Sequence, residues 1–143
     1  MLINTFLGIF LIICSITDIK FKEIRLNILI VFALAGVVLF FIYRPVSLFE
    51  EIMGLFTGLV FIGLWALTEG KIGLGDGLLM TVTGIYLGGR ENAFMVMTAM
   101  LLSAVFSIVI LILKKGDRNA RFAFAPFILI SFVLRTVISQ YGY

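Results

Sequence analysis

Two aspartates occupy positions where a charge is costly, and they are the residues whose type and setting could do chemistry. Asp76 lies in the stretch KIGLGDGLLM, residues 71–80, among three glycines, and Asp18 directly follows seventeen uncharged residues. A charge beside a hydrophobic helix is a candidate functional group by default. Two carboxyl groups held close together cannot both ionise easily, so one keeps its proton. Such a pair can activate water and protonate a leaving group, which is the chemistry of aspartic peptide hydrolysis.

The other six acidic residues are expected to be solvated charges. Glu23 belongs to an interfacial cluster with Lys20, Lys22 and Arg25. Glu50, Glu51 and Glu91 lie on the outer side, Glu69 lies in a loop, and Asp117 lies in a basic loop.

Asp18 and Asp76 also have simpler interpretations, Asp18 as a border charge that helps to end a helix and Asp76 as a helix N-cap. An N-cap alone does not explain glycine at positions 73, 75 and 77, because glycine also allows another backbone to approach closely.

The absence of histidine and of a second cysteine restricts the catalytic chemistry that the chain can perform. The chain has no histidine and a single cysteine, Cys14, inside an apolar run. An internal disulfide, a cysteine-built zinc site and a histidine-based triad are therefore excluded. Catalysis would fall to carboxylates, hydroxyls, lysine or one thiol, and neither a metal nor another cofactor is expected.

The composition is that of a membrane protein. Of the 143 residues, 62% are hydrophobic and 13% charged, and the mean hydropathy is +1.22. An ordinary soluble domain is about a quarter charged, and a soluble fold of this size could not bury so much apolar surface. Residues 1–143 are therefore expected to form a single domain within a lipid bilayer. The net charge of +3 is small and indicates no nucleic-acid partner.

Six uncharged runs predict an all-α bundle of six transmembrane helices. The runs are Met1–Thr17, Leu26–Tyr43, Ile52–Thr68, Gly77–Gly89, Asn92–Leu113 and Phe122–Leu134. Four of them reach the roughly 17 residues that a span requires. The sixth can extend through Arg135, whose long side chain can reach the interface, and the fourth can lengthen only by including Asp76. Pro126 is expected to kink the last helix, and the first run, which lacks a basic n-region, is expected to be a retained helix.

Basic residues predict the orientation of the bundle. Eight of the eleven Lys and Arg residues fall in segments 18–25, 69–76 and 114–121, whereas only Arg44, Arg90 and Arg135 lie at the other side. The richer side is expected to be cytoplasmic, which places Asp18 and Asp76 together on that side and both termini outside. Because Asp76 opens a helix and Asp18 closes one, helix polarity predicts that Asp18 more often holds a shared proton.

Four segments resemble one family of membrane proteases. Gly73-Leu74-Gly75-Asp76 matches the GxGD signature of membrane aspartyl proteases. TDIKFKEI at 17–24, GIYLGG at 84–89 and FAFAPFILI at 122–130 resemble, in order, segments of the type IV prepilin peptidase (prepilin leader peptidase) branch. The resemblance runs from about residue 10 to residue 131. The chain departs from the common family pattern at Leu78, where a lysine is usual, and at IRLN, residues 24–27.

The resemblance implies a function and a site. Asp18 and Asp76 would be the catalytic pair, and Gly73 and Gly75 would bind the substrate backbone. The substrate would be the short basic leader of a type IV prepilin or pilin-like (pseudopilin) precursor, cut at the cytoplasmic face of the inner membrane, in pilus assembly or protein secretion. The chain resembles a minimal form without the N-terminal methyltransferase segment of the larger family enzymes.

Two other functions remain open from the residues alone. A small transporter or channel subunit could use Asp18 and Asp76 to bind a cation or relay protons, since acids and glycine-broken helices are also found in such proteins. A structural subunit of a secretion or pilus machine would tolerate asparagine at both positions. Proteolysis requires both carboxyl groups. The residues leave the oligomeric state open.

Overall fold

The computed structural model describes residues 2–43, 47–69, 73–113 and 123–141. These residues form six helices and no strand, so the predicted all-α fold of six helices is confirmed: α1 Leu2–Phe21, α2 Leu26–Tyr43, α3 Leu48–Leu67, α4 Leu74–Leu87, α5 Gly89–Leu113 and α6 Ala125–Tyr141. Helices α1, α2, α3 and α5 are long and apolar enough to cross a membrane, and α4 and α6 are shorter. Large apolar side chains remain exposed along the long helices, as expected for a protein surrounded by lipid.

The short helix α4 lies at the centre of the bundle. It contacts α1, α2, α3 and α5, with its most extensive packing against α3, while α6 packs on α1 and α5. Nearly every residue from Gly77 to Leu87 is buried, which is the environment expected for a helix that is apolar on all sides. Whatever fixes α4 against its neighbours therefore also fixes Asp76, which lies in its first turn.

Glycines allow α3 and α4 to pack with their backbones in contact. A Cβ added to Gly54 of α3 would lie 2.5 Å from the carbonyl oxygen of Gly84 in α4, and one added to Gly77 would lie 3.1 Å from the backbone nitrogen of Ile62 in α3. Small residues at helix interfaces allow this close approach in membranes, where no hydrophobic effect drives helices together. The contacts at the two ends of α4 set its position along α3.

Side-chain hydrogen bonds link α4 to two further helices of the bundle, α5 and α2. The Thr83 hydroxyl donates to Asn92 Oδ1 on α5 at 2.7 Å, and Asn92 Nδ2 donates to the Met80 carbonyl at 3.0 Å. The Tyr86 hydroxyl donates to the Phe32 carbonyl of α2 at 2.7 Å. Because no water is available in hydrocarbon, polar groups there must find partners within the protein. These bonds fix the rotation of α4 relative to α2 and α5.

Several helix ends differ from those that the uncharged runs indicated. Helix α1 continues past Asp18 to Phe21, and α4 begins at Leu74, so each helix includes its aspartate. Helix α6 begins at Ala125, which makes Pro126 its second residue. The predicted kink at Pro126 is therefore wrong, because a proline in the first turn removes no hydrogen bond of the helix.

The three acidic residues of the outer side were predicted to be solvated loop charges, and this prediction is wrong because all three lie in helices. Glu50 and Glu51 lie in the first turn of α3 and Glu91 in that of α5, where helix polarity favours an acid. Glu50 accepts a hydrogen bond from the Arg90 N–H, Glu91 pairs with Arg135 at 2.8 Å, and Glu51 is only 9% exposed.

Glu23 and Glu69 are exposed and lie outside the helices, as expected for solvated charges. Asp117 and the outer loop around Pro45 lie outside the described residues, as does Lys71 of the segment before α4.

Candidate active site

Asp18 lies in the last turn of α1, on its buried face. Only 7% of the residue is exposed. Since α1 continues to Phe21, Asp18 is also not the border charge that ends the helix. Its Oδ2 atom accepts a hydrogen bond of 2.9 Å from the backbone N–H of Ala125, the first residue of α6. A carboxyl group is thus held at the point where the end of α1 meets the beginning of α6.

Asp76 lies in the first turn of α4, as its third residue. The N-cap of that helix is Gly73, which has extended backbone angles and no side chain to cap with, so the interpretation of Asp76 as the N-cap is wrong. The Asp76 N–H donates to the Gly73 carbonyl at 3.2 Å. As a residue Asp76 is partly exposed, whereas Asp18 is buried.

The two glycines of the GxGD motif have different surroundings. A Cβ on Gly73 would lie 2.9 Å from Asp76 Oδ2, so glycine leaves room for the carboxyl group to fold back over the helix end. A Cβ on Gly75 would lie 3.4 Å from Cβ of Ile24, which follows α1 in the chain. Gly73 precedes α4, and Gly75 is its second residue. A side chain at position 75 would therefore make an ordinary contact with the α1–α2 connection, whereas one at position 73 would crowd the Asp76 carboxyl group.

The fold brings Asp18 and Asp76 together from two helices. Helices α1 and α4 are in contact, and the charge of Asp18 acts electrostatically on Asp76. Two like charges within reach of one another disfavour double ionisation of the pair. The described residues contain no cluster of three or more acidic or cysteine side chains placed to hold a metal ion.

Two groups at this site were missed from the sequence. Ser15 lies one helical turn before Asp18 on the buried face of α1 and is 4% exposed. Its hydroxyl has no hydrogen-bond partner among the residues that the structure describes. The i, i+3 spacing from Asp18 was a signal that could have identified it. The Ala125 N–H is a backbone group, and no pattern of residue types could have indicated it.

Comparison with known proteins identifies the family. The profile of the type IV leader peptidase family matches residues 5–112, a range that contains both aspartates and the glycines but ends before α6. No curated protein and no solved structure matches the chain. The family profile covers most of the chain, and helices suited to a membrane are present. This chain, with its apolar helices long enough to span a membrane, belongs to the type IV leader peptidase family and is a peptidase.

Proposed function

We propose that this peptidase is an aspartic endopeptidase of the GxGD class, with Asp18 and Asp76 as its catalytic pair. The observation that carries the proposal is the convergence of these two carboxyl groups. They come from separate helices, lie at one end of the bundle, and interact electrostatically. The family supports peptide hydrolysis, and the sequence has no histidine and a single cysteine. A carboxyl dyad is the arrangement in these residues that is suited to activating water.

The reaction proceeds by proton transfers between the dyad, water and the peptide. One carboxylate takes a proton from water as the water oxygen bonds to the carbonyl carbon, and the protonated partner gives its proton to the carbonyl oxygen. The resulting diol then collapses. The first carboxyl group returns its proton to the amide nitrogen, the C–N bond breaks, and the second group recovers a proton from the diol. Both aspartates end in their starting states, so the pair is ready for another turnover.

The substrate that we propose is the short basic leader of a type IV prepilin or pilin-like precursor. Gly73 is exposed at the start of α4 next to the Asp76 carboxyl group. Without side chains, Gly73 and Gly75 leave space for an extended peptide backbone to approach the dyad. Eight of the eleven basic residues fall in the segments predicted for the same side of the membrane as Asp18 and Asp76, which favours the cytoplasmic side for the reaction. The hydrophobic segment of the precursor would remain in the membrane, with its leader extended toward the dyad.

The proposal is tested by leader cleavage with purified protein in detergent or lipid vesicles. Wild type, Asp18→Asn and Asp76→Asn are incubated with a panel of prepilin-like substrates, and the products are identified by mass spectrometry. Asparagine matches aspartate in size but cannot exchange protons, so we expect each substitution to abolish cleavage. Glu69→Gln is the matched control, because Glu69 is an exposed acid near the start of α4 in the chain, and it should cleave like wild type.

Other outcomes would contradict the proposal. Cleavage by folded Asp18→Asn or Asp76→Asn would remove that residue from the dyad. A folded wild type that cleaves no member of the panel, yet conducts a cation or protons in vesicles in a manner dependent on both aspartates, would favour the transporter interpretation.

A further inference from the structure

We infer that the backbone N–H of Ala125 positions Asp18 as the ionised, water-activating member of the dyad, which leaves Asp76 as the proton donor. This inference rests on the proposed function and assigns the two roles within it. It begins from the hydrogen bond between α1 and α6, which joins residues 107 positions apart in the chain.

The Ala125 N–H can donate a hydrogen bond to another helix, because it has no acceptor within α6. The Phe124 carbonyl accepts the N–H groups of Phe127 and Ile128, so Phe124 is the N-cap of α6 and Ala125 its first residue. A first-turn N–H has no acceptor within its own helix. Asp18 Oδ2 supplies that acceptor at 2.9 Å, and the bond is buried, with Ala125 fully enclosed.

The hydrogen bond from Ala125 to Asp18 assigns the roles of the two aspartates, because it favours the charged form of Asp18. A carboxylate is stabilised as the anion when it accepts a backbone N–H, and the positive end of a helix adds to the effect. Oδ2 of Asp18 is engaged by Ala125, which leaves Oδ1 to accept a proton from water. Helix polarity along the chain led to the opposite assignment, from the beginning of α4 at Asp76 and the end of α1 at Asp18. The tertiary structure adds the beginning of α6, whose polarity has the opposite sign.

Among the described residues, few titratable groups lie near Asp18 on the helices that pack against α1. Asp18 acts electrostatically on Asp76 of α4, where Tyr86 lies ten residues further along the helix, and Cys14 lies one turn before Asp18 on α1. Helix α2 carries only Tyr43, at its far end, and α6 carries only Arg135 and Tyr141, beyond its first two turns. Lys20 and Arg25, which follow Asp18 in the chain, are exposed and lie over the Phe21 ring. The Ala125 amide is therefore the group whose removal should change the state of Asp18 most directly.

The first test is to remove this N–H and measure the kinetics of leader cleavage. Ala125→Pro does so at a first helical position, where proline is accepted. An amide-to-ester replacement at residue 125 also removes the N–H but keeps the methyl group, and it serves if the proline variant does not fold. We expect kcat to fall roughly 10- to 100-fold with KM little changed, as for the loss of a hydrogen bond to a charged group.

Two comparisons separate positioning from simple loss of structure. Leu48→Pro is the control for a proline at the first position of a helix, here α3. Leu48 is 71% exposed, and Ser47 has the extended backbone angles that a residue before proline adopts. This variant should cleave like wild type. Ala125→Gly retains the N–H and should lose far less kcat than Ala125→Pro. Wild-type kcat in a folded variant that lacks the Ala125 N–H would overturn the inference while leaving the peptidase proposal intact.

A second measurement does not depend on cleavage. In the Asp76→Asn background, infrared difference spectra against Asp18→Asn/Asp76→Asn report the protonation of Asp18 as pH changes. Removing the Ala125 N–H should shift the midpoint of the Asp18 titration upward by roughly one pH unit or more, because the anion loses its donor. An unchanged midpoint would refute the inference even if no leader were cleaved.

Discussion

Gly54 of α3 and Gly84 of α4 pack backbone against backbone, so that a Cβ on Gly54 would lie 2.5 Å from the Gly84 carbonyl oxygen. The contact lies more than two turns from Asp76 along α4. It nevertheless bears on the site, because a rigid helix transmits a displacement along its length. The position of Asp76 relative to Asp18 therefore depends on small residues that take no part in chemistry.

Substitution of Gly54 tests this dependence. Gly54→Ala should destabilise the protein by about 1–3 kcal/mol, since the added methyl group can be accommodated only if α3 and α4 move apart. Thermal unfolding in detergent measures the effect. Gly63→Ala is the control on the same helix, because nothing lies within 4 Å of its added Cβ, and it should leave stability unchanged or raise it slightly. Equal effects of the two substitutions would contradict the close packing.

The buried bond from Thr83 to Asn92 gives a second prediction. Thr83→Val removes the hydroxyl and leaves Asn92 Oδ1 without that donor in the interior, so we expect a loss of about 1–2 kcal/mol. The matched control is Thr98→Val, because the Thr98 hydroxyl donates only within its own helix, to the Phe94 carbonyl. Equilibrium unfolding of both variants checks the prediction, and a neutral Thr83→Val would show that the bond contributes nothing net.

The Asp18 carboxyl group also caps α6, so its structural and catalytic roles should separate on substitution. Asp18→Asn keeps an oxygen that can accept the Ala125 N–H and should retain nearly wild-type stability, although it abolishes cleavage. Asp18→Ala removes the acceptor and should cost about 1 kcal/mol more, as for the loss of a helix cap. The free energies of unfolding of the two inactive variants are compared to test this difference. Equal stability would argue that the bond to Ala125 does not stabilise α6.

The glycine before α4 should matter for activity more than for stability. Gly73 has φ −67° and ψ 124°, which alanine also adopts, but the added Cβ would lie 2.9 Å from Asp76 Oδ2. We therefore expect Gly73→Ala to displace the carboxyl group and lower the kcat of leader cleavage roughly tenfold or more. Gly75→Ala places its Cβ at an ordinary 3.4 Å from Ile24 and should have a smaller effect. The reverse order would contradict this geometry.

Hydropathy and residue type were sufficient to predict six helices, a membrane setting and the two aspartates as the candidate pair. They were less informative about boundaries, because charge disfavours a membrane interior but does not end a helix. Asp18 and Asp76 were placed beside helices that in fact include them. Pro126 was expected to kink a helix in which it occupies the first turn. The deviations concern where helices begin and end, which depends on caps and on neighbouring segments as well as on the chain itself.

Which residues could do chemistry was evident from the sequence, because apolar runs, charges and the GxGD motif are properties of neighbouring residues. The contacts between helices became evident in the folded protein: the Ala125 N–H at Asp18, the Gly54–Gly84 contact and the Thr83–Asn92 bond. Each joins groups on different helices, and two of the three involve backbone atoms that every residue possesses. Local patterns carry no information about such contacts, since they arise only when the helices pack and each buried polar group must find a partner.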